Sequence, residues 1–284
     1  MLKHRLTYGV ILIAALIGMI WADEWLAHET GVRAILLLPV AAVIVVLASR
    51  EIGGIFRAHA IPTPGWFLAL AGLLGLATSA ATPDDLGSIS GVAFAGTSAA
   101  LVLIASMIFY TRDHTTEGVV AAVASTLLCF VYVGVMGGLL VAIRKEHSGW
   151  WLLAVLAITK SCDIGAYFTG TLIGKHKLIP WLSPGKTWEG LVGGMAASAG
   201  VAVLATTYVP HAPATQDPYW WEGLILGAVL GAVGQAGDLV ASVFKRDAGI
   251  KDYSAALPGF GGVMDIIDSP LLVAPVAYWI LKVI

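Results

Sequence analysis

The sequence predicts an all-α fold, a polytopic integral membrane protein with about nine transmembrane helices, and two observations carry the prediction. Of the 284 residues, 58% are hydrophobic and only 12% are charged, whereas an ordinary soluble domain is roughly 25% charged. Apolar runs of about 17–25 residues also recur along the whole chain, each near the ~20 residues an α-helix needs to cross a ~30 Å hydrocarbon layer. Lipid offers the backbone no hydrogen-bond partner, so runs of this length must satisfy their own amides as helices.

In chain order the runs lie at approximately 6–22, 34–49, 65–82, 91–110, 118–143, 150–169, 188–208, 220–241 and 269–284. The first follows a short basic lead, Lys3 to Arg5, and is read as a retained helix; a cleaved leader would change the span number from odd to even. Basic residues set the orientation, because cytoplasmic loops carry an excess of Lys and Arg. With the N-terminus inside, Lys3, Arg5, Arg50, Arg57, Arg112, Lys175, Lys177, Lys186, Lys245, Arg246 and Lys251 fall on the cytoplasmic side. Arg33, Arg144 and Lys145 dissent. The connections 83–90 and 208–220 carry no Lys or Arg, as expected of the outer face.

Several features have a plain packing explanation. Stretches such as "GLVGGMAASAG" at 190–200 let membrane helices approach closely. Trp21, Trp25, Trp66, Trp150, Trp151, Trp220 and Trp221 sit near span ends, as an interfacial belt does. Cys129 and Cys162 both fall inside apolar runs, which argues against a disulfide framework or a cysteine metal site. A formal net charge of −2 leaves no basic footprint for nucleic acid. No internal repeat is evident, which disfavours a transporter built from inverted halves.

The chain divides by chemistry. Residues 1–145 read as membrane helices with short polar connections and no concentrated chemistry. Residues 146–284 hold polar residues within their spans, and the longest inside connections, about 170–187 and 242–268. Lys160, Asp163 and Tyr167 share one helical face by their i, i+3, i+7 spacing. A charge near the bilayer centre costs about 2.5–3.5 kcal/mol on insertion scales, so these should pair with one another or line a wet cavity. In "LSPGKTWEG", Ser183 and Pro184 read as the N-cap and first residue of a helix, with Lys186 and Thr187 in its first turn. Such a helix start attracts anions. It is no nucleotide P-loop, since the first glycine that motif needs would fall at Pro180. An ordinary capped helix start is the plain alternative.

Gln235, Asp238, Ser242 and Lys245 then recur along one stripe, running from within a span toward the inner face. Arg246 and Lys251 add cations suited to phosphate. "LPGFGG" at 257–262 allows a sharp turn, and Asp265 and Asp268 follow at the start of the last span. Carboxylates beside a phosphate-binding cluster point to Mg²⁺, a hard cation held by oxygen ligands. A solvated positive-inside loop would explain the basic residues but not Asp238, Asp265 and Asp268.

These residues bear a close resemblance to the phosphatidate cytidylyltransferases, also called CDP-diacylglycerol synthases. Ser242, Lys245, Arg246, Lys251, Asp252, Ser254, Leu257, Pro258, Gly259, Gly261, Gly262, Asp265 and Asp268 match the family signature in type and spacing. "DIGAYFTGTLIGKHKL", "SPGKTWEG" and "GQAGDL" also look like family segments, so the likeness covers roughly 160–270 in detail. Two positions depart from the pattern: Phe260 stands where a histidine is usual, and Ile266 where an arginine is.

The resemblance implies cytidylyl transfer from CTP to phosphatidic acid, giving CDP-diacylglycerol and pyrophosphate with Mg²⁺ as cofactor. Asp238, Lys245 and Asp265 would be catalytic, and Asp238, Asp265 and Asp268 would ligate the metal. Lys160, Asp163, Ser183, Lys186, Thr187, Ser242, Arg246 and Lys251 would bind substrates. The expected setting is a bacterial inner membrane with the site on its cytoplasmic side, with membrane lipid as surroundings and a homodimer left open. Competing readings are a polyprenol kinase, an archaeal-type lipid cytidylyltransferase and, further off, a transporter.

Overall fold

Ten helices and one two-stranded hairpin make up the computed structural model, which describes residues 2–81, 91–112, 114, 116–209, 219–257, 259 and 261–283, with side chains from residue 8 onward. The helices are α1 (Leu2–Thr30), α2 (Leu37–Ala58), α3 (Gly65–Ala80), α4 (Gly91–Thr111), α5 (Val119–Leu128), α6 (Met136–Glu146), α7 (Gly149–Ile173), α8 (Trp188–Tyr208), α9 (Trp220–Asp247) and α10 (Met264–Leu281). Cys129–Val135 is a π-helical segment that joins α5 and α6 into one apolar span, Val119–Glu146. Strands β1 (Lys177–Ile179) and β2 (Ser183–Thr187) pair antiparallel between α7 and α8.

Among the described residues, eight helices are long and apolar enough to cross a membrane, and α3, at 16 residues, is a shorter apolar helix in the place of the remaining expected span. This is an integral membrane protein. Pro62 and Pro64 end the preceding turn and force an extended approach to α3, because proline fixes φ and removes a donor. Exposed apolar side chains such as Ile11, Val92, Ile108, Leu172 and Val192 stand on the outer helix faces, where lipid rather than water is the natural solvent.

The expected ends need adjustment at the two spans that matter most for chemistry. Helix α9 continues to Asp247, so Ser242, Lys245 and Arg246 ride on the same rigid helix as Asp238. Helix α10 begins at Met264 and takes Asp265 and Asp268 into its first turns, with Pro270 and Pro275 inside it.

Helix α7 packs along α8, α8 along α9, and α9 along α10, while α10 also meets α2 and α6. One buried cluster runs through all of these, including Ile52, Val133, Ile143, Ile158, Leu230 and Leu271. Close approach depends on small residues. A β-carbon at Gly134 in the π-helical segment would collide with the Gly72 and Gly75 backbone of α3, so a larger residue there would part the two elements.

The residues that dissent from the charge rule turn out not to be free charges in a loop. Arg144 is 1% exposed and pairs with Asp23 at 2.7 Å and Glu24 at 2.9 Å, tying α6 to α1. Arg33 donates to the Lys145 and Glu146 carbonyls, and Lys145 donates to the Ala80 carbonyl. Removing one partner of a buried pair leaves an uncompensated charge at a cost of about 3–5 kcal/mol. Arg144→Met should therefore lower the melting temperature in detergent sharply. Asp23→Asn/Arg144→Met, which leaves neither of these two charges, should recover part of the loss; an unchanged melt for the single variant would contradict the role of this pair.

Candidate functional site

The polar residues of the C-terminal half meet where the C-terminal ends of α7 and α9 come beside β2 and the N-terminal ends of α8 and α10. The first correction lies at β2. Ser183 does not cap a helix: residues 183–187 form the second strand of the hairpin, with Ser183 opposite Ile179 and Thr187 opposite Lys177. Thr187 is the N-cap of α8, its hydroxyl accepting from the Gly190 amide at 3.1 Å. The sequence offered two hydroxyls at this corner, and strand pairing with Lys177–Ile179 moved the helix start to the second. Lys186 is thus held on a strand edge, 2.7 Å from Asp238 Oδ2 and donating to the Gln235 carbonyl at 3.3 Å.

A second pair lies on α7. Lys160 Nζ is 3.4 Å from Asp163 Oδ2, within one helix, and Gln235 Nε2 of α9 donates to Asp163 Oδ1 at 2.9 Å. The charges of Asp238 and Lys186 also reach Asp163, so the α7 and β2 pairs belong to one group. Tyr167, expected on the same face, is 66% exposed and stands outside it.

The third pair is the most enclosed. Lys245 Nζ lies 2.9 Å from Asp265 Oδ1, with the side chains 12% and 7% exposed. Asp265 Oδ2 accepts from the Tyr253 amide at 2.9 Å and the Gly262 amide at 2.8 Å. One carboxylate therefore fixes both a lysine and the turn that precedes α10. Leu257 and Gly261 exchange backbone hydrogen bonds across that turn. Gly261 has φ +90°, and a β-carbon on it would meet Asp265 Oδ2, so only glycine fits there. Tyr253 folds under the turn and donates to the Ala241 carbonyl at 3.4 Å. Burial pushes its phenol well above the ordinary tyrosine range, which keeps it a donor. Pro258 and Phe260 lie outside the described residues, while Ile266 occupies the first turn of α10.

Glu51 is the residue that the sequence reading missed. It comes from α2, in the half expected to hold no concentrated chemistry. Its carboxylate accepts from the Val263 and Met264 amides at 3.0 and 2.8 Å and from the Ser254 hydroxyl at 2.7 Å. A helix N-terminus carries unpaired amides that favour a carboxylate, and Glu51 fills that role for α10 from another helix. A glutamate within an otherwise apolar stretch, "LASREIGGIF", was the available signal.

Asp268 is 3% exposed and its Oδ1 accepts from the Ser269 amide and hydroxyl. A β-carbon on Gly237, next to Asp238, would meet the Asp268 carbonyl, so α9 and α10 touch here, and Asp238, Lys160 and Lys245 contribute to the electrostatic environment of Asp268. Tyr132 of the π-helical segment is also within reach of Asp268 and Asp238. Its hydroxyl is buried without a hydrogen-bond partner among the described residues, and π-helical turns often mark functional positions. Ser242 is partly buried on α9; Arg246 and Lys251 are exposed and make no ion pair with described residues.

Among the described residues no group of three or more His, Cys, Asp or Glu side chains forms a ready protein cage for a metal. The donors nonetheless suit Mg²⁺, which is commonly bound by one or two carboxylates together with water and phosphate oxygens. Asp238 Oδ1 and Asp268 Oδ2 make no hydrogen bond with described residues, whereas both oxygens of Asp265 are engaged.

Comparison with known proteins adds an independent line. The sequence model described as "Cytidylyltransferase family" matches residues 3–284. A phosphatidate cytidylyltransferase of Chlamydia trachomatis is 37% identical over 185 residues, 62% of this chain and 60% of that protein. One of Staphylococcus saprophyticus is 41% identical over 152 residues, covering 54% and 56%. One of Staphylococcus haemolyticus is 31% identical over 240 residues, covering 84% and 87%. The match thus spans 60% of the Chlamydia protein's length and most of the last relative's.

The cap supplied by Glu51 has a measurable consequence. Glu51→Ala leaves two amides and a hydroxyl without their acceptor, at about 1–3 kcal/mol for each buried donor. Hydrogen exchange at residues 261–266 should accelerate at least tenfold, while the amides of α8 keep their protection. Unchanged exchange at the head of α10 would show that Glu51 does not hold it.

Proposed function

The chain belongs to the cytidylyltransferase family, and from that premise we propose that it transfers the cytidylyl group of CTP to phosphatidic acid, releasing pyrophosphate and CDP-diacylglycerol. The observation that carries this reading is the convergence of Lys186, Lys245, Asp238, Asp265 and Asp268 at one end of the helix bundle. Cations for phosphates and carboxylates for a cation are thereby held side by side, as phosphoryl chemistry requires.

In this reading a phosphate oxygen of the lipid forms the new bond to the α-phosphorus of CTP as the bond to pyrophosphate breaks. The lipid phosphate is itself a competent nucleophile, so no acylating serine or cysteine is needed. Lys186 and Lys245 offset charge on the phosphates. Each ammonium has three N–H donors, so each can hold a phosphate oxygen while keeping its aspartate. Asp265 acts on the reaction by orienting Lys245 and the turn at 257–262. Arg246 and Lys251, exposed beside this end of α9, supply further contacts for the triphosphate or the lipid headgroup. In this reading Lys160 and Asp163, tied to α9 through Gln235, and Ser242, four residues beyond Asp238 on α9, would also contact substrate. Thr187 would act as the cap of α8, and Ser183, at the far end of β2, would be the most peripheral of the group. Asp238 and Asp268 would hold Mg²⁺, which when bound neutralises charge on the triphosphate.

The basic residues Arg50, Arg57, Arg112, Lys175, Lys177, Lys186, Lys245, Arg246 and Lys251 gather at the helix ends that carry this group. That distribution supports a cytoplasmic site, and the bacterial relatives support the inner membrane as its location.

The test is to incubate the purified protein with phosphatidic acid, Mg²⁺ and CTP labelled at the α-phosphate. Labelled lipid is expected. Lipid labelled only from γ-labelled CTP would indicate a kinase and overturn the proposal. Asp265→Asn should abolish turnover and also lower the melting temperature, because it leaves the enclosed Lys245 ammonium without its counter-charge. Lys186→Ala and Arg246→Ala should raise KM for CTP about tenfold or more, from the ~1.5–3 kcal/mol of a hydrogen bond to a charged group. Near-normal CTP kinetics in both lysine and arginine variants would reduce these residues to topology signals.

A further inference from the structure

A cavity of about 390 Å³ lies in the N-terminal half, lined by Arg57, Thr63, Phe109, Tyr110, Arg112 and Glu117 among others. None of the polar cluster described above contributes to it. It forms where the C-terminal ends of α2 and α4 meet the N-terminal ends of α3 and α5. His59, two residues beyond Arg57, lies 3.1 Å from Asp247 at the end of α9. The cavity therefore opens at the same end of the bundle as the candidate site.

Its chemistry is that of a phosphate receptor at a lipid boundary. Among the described residues that line it, Arg57 and Arg112 are basic and Glu117 is acidic. Arg57 is exposed and makes no ion pair with described residues. Guanidinium forks match phosphate oxygens in pairs. Thr63 is 3% exposed, and its hydroxyl has no hydrogen-bond partner among the described residues. A buried hydroxyl of this kind is costly unless it gains an acceptor.

The wall beside the arginines is aromatic. Phe67 and Phe109 stack at 4.3 Å, Tyr110 and Trp66 meet them edge-on, and Arg112 sits 4.0 Å over the Phe109 ring. The Tyr110 hydroxyl is committed to Thr126 at 2.9 Å, which leaves its ring for the wall. Leading away from this shelf, exposed Trp66 and Leu70 on α3 and Leu101, Ile104 and Ile108 on α4 recur at helical spacing. They offer an apolar track in the direction of the membrane interior. Basic pockets between transmembrane helices at a cytoplasmic face are suited to acidic lipid headgroups.

We propose that this cavity binds the phosphate headgroup of an anionic glycerolipid, whose acyl chains lie along the exposed faces of α3 and α4. A soluble phosphate ester shares the headgroup chemistry but would make no use of the apolar track.

The test counts lipids retained by the detergent-solubilised full chain in native mass spectrometry during titration with dioleoyl phosphatidylglycerol. One tightly held phosphatidylglycerol is expected, with dioleoyl phosphatidylcholine at least tenfold weaker. Arg57→Gln should weaken phosphatidylglycerol retention about tenfold, and Arg57→Gln/Arg112→Gln should abolish preferential binding. Arg57 is exposed, so the single variant remains informative even if the double variant folds poorly. Asp238→Asn should retain the lipid as the wild type does, and glycerol 3-phosphate at millimolar concentration should not displace it. Equal binding of the two lipids, undiminished retention in Arg57→Gln, or loss in Asp238→Asn would each overturn the proposal. Displacement by glycerol 3-phosphate would overturn the lipid assignment in favour of a soluble phosphate ester.

Discussion

Lys245 and Asp265 are almost enclosed, and a charge taken from water into a membrane protein must be met by its opposite or by hydrogen bonds. That constraint orders this end of the molecule. Asp265 meets it by accepting from one ammonium and two backbone amides at once, which fixes the last turn of α9 relative to the first of α10. The Lys186–Asp238 pair does the same between β2 and α9. The Lys160–Asp163 pair, tied to α9 by Gln235, brings in α7. Buried ion pairs are weak devices for raw stability. Only Lys245–Asp265 is well enclosed, while Lys186–Asp238 and Lys160–Asp163 are partly open to solvent, and three such pairs at one end of the bundle suit the handling of charged substrates better than folding alone.

The apolar half is part of this arrangement. Glu51 reaches from α2 to cap α10, and the π-helical segment carries Tyr132, which interacts electrostatically with Asp268 and Asp238. Close packing of Gly134 on α3 holds that segment in place. At the opposite ends of the helices, Arg144 with Asp23 and Glu24 anchors α6 to α1. The bundle is thus pinned by ion pairs at both ends, with its apolar packing between them.

Membrane helices are legible from sequence because length and hydropathy alone decide them; the expected spans correspond to eight long helices and the shorter α3. The stripe from Gln235 to Lys245 was legible because it is local to one helix. Signals that depend on distant partners were not. Nothing local told that residues 183–187 would pair as a strand, moving the cap from Ser183 to Thr187. The role of Glu51 likewise depends on a contact more than two hundred residues away in sequence. Arg144 misled as a topology signal because its charge is spent inside the protein, and only its partner Asp23 reveals that.

The claim that these pairs exist for chemistry is tested most directly at Lys186 and Asp238, where neither side chain caps a turn. Replacing a buried ion pair by apolar residues of similar volume is often neutral or stabilising, and this pair, 17% and 36% exposed, lies against the membrane-embedded helix α9. Lys186→Met/Asp238→Leu should keep the wild-type melting temperature or exceed it, and transfer of α-label from CTP to lipid should fall below detection. A double variant that melts normally and still labels lipid at the wild-type rate would contradict that claim.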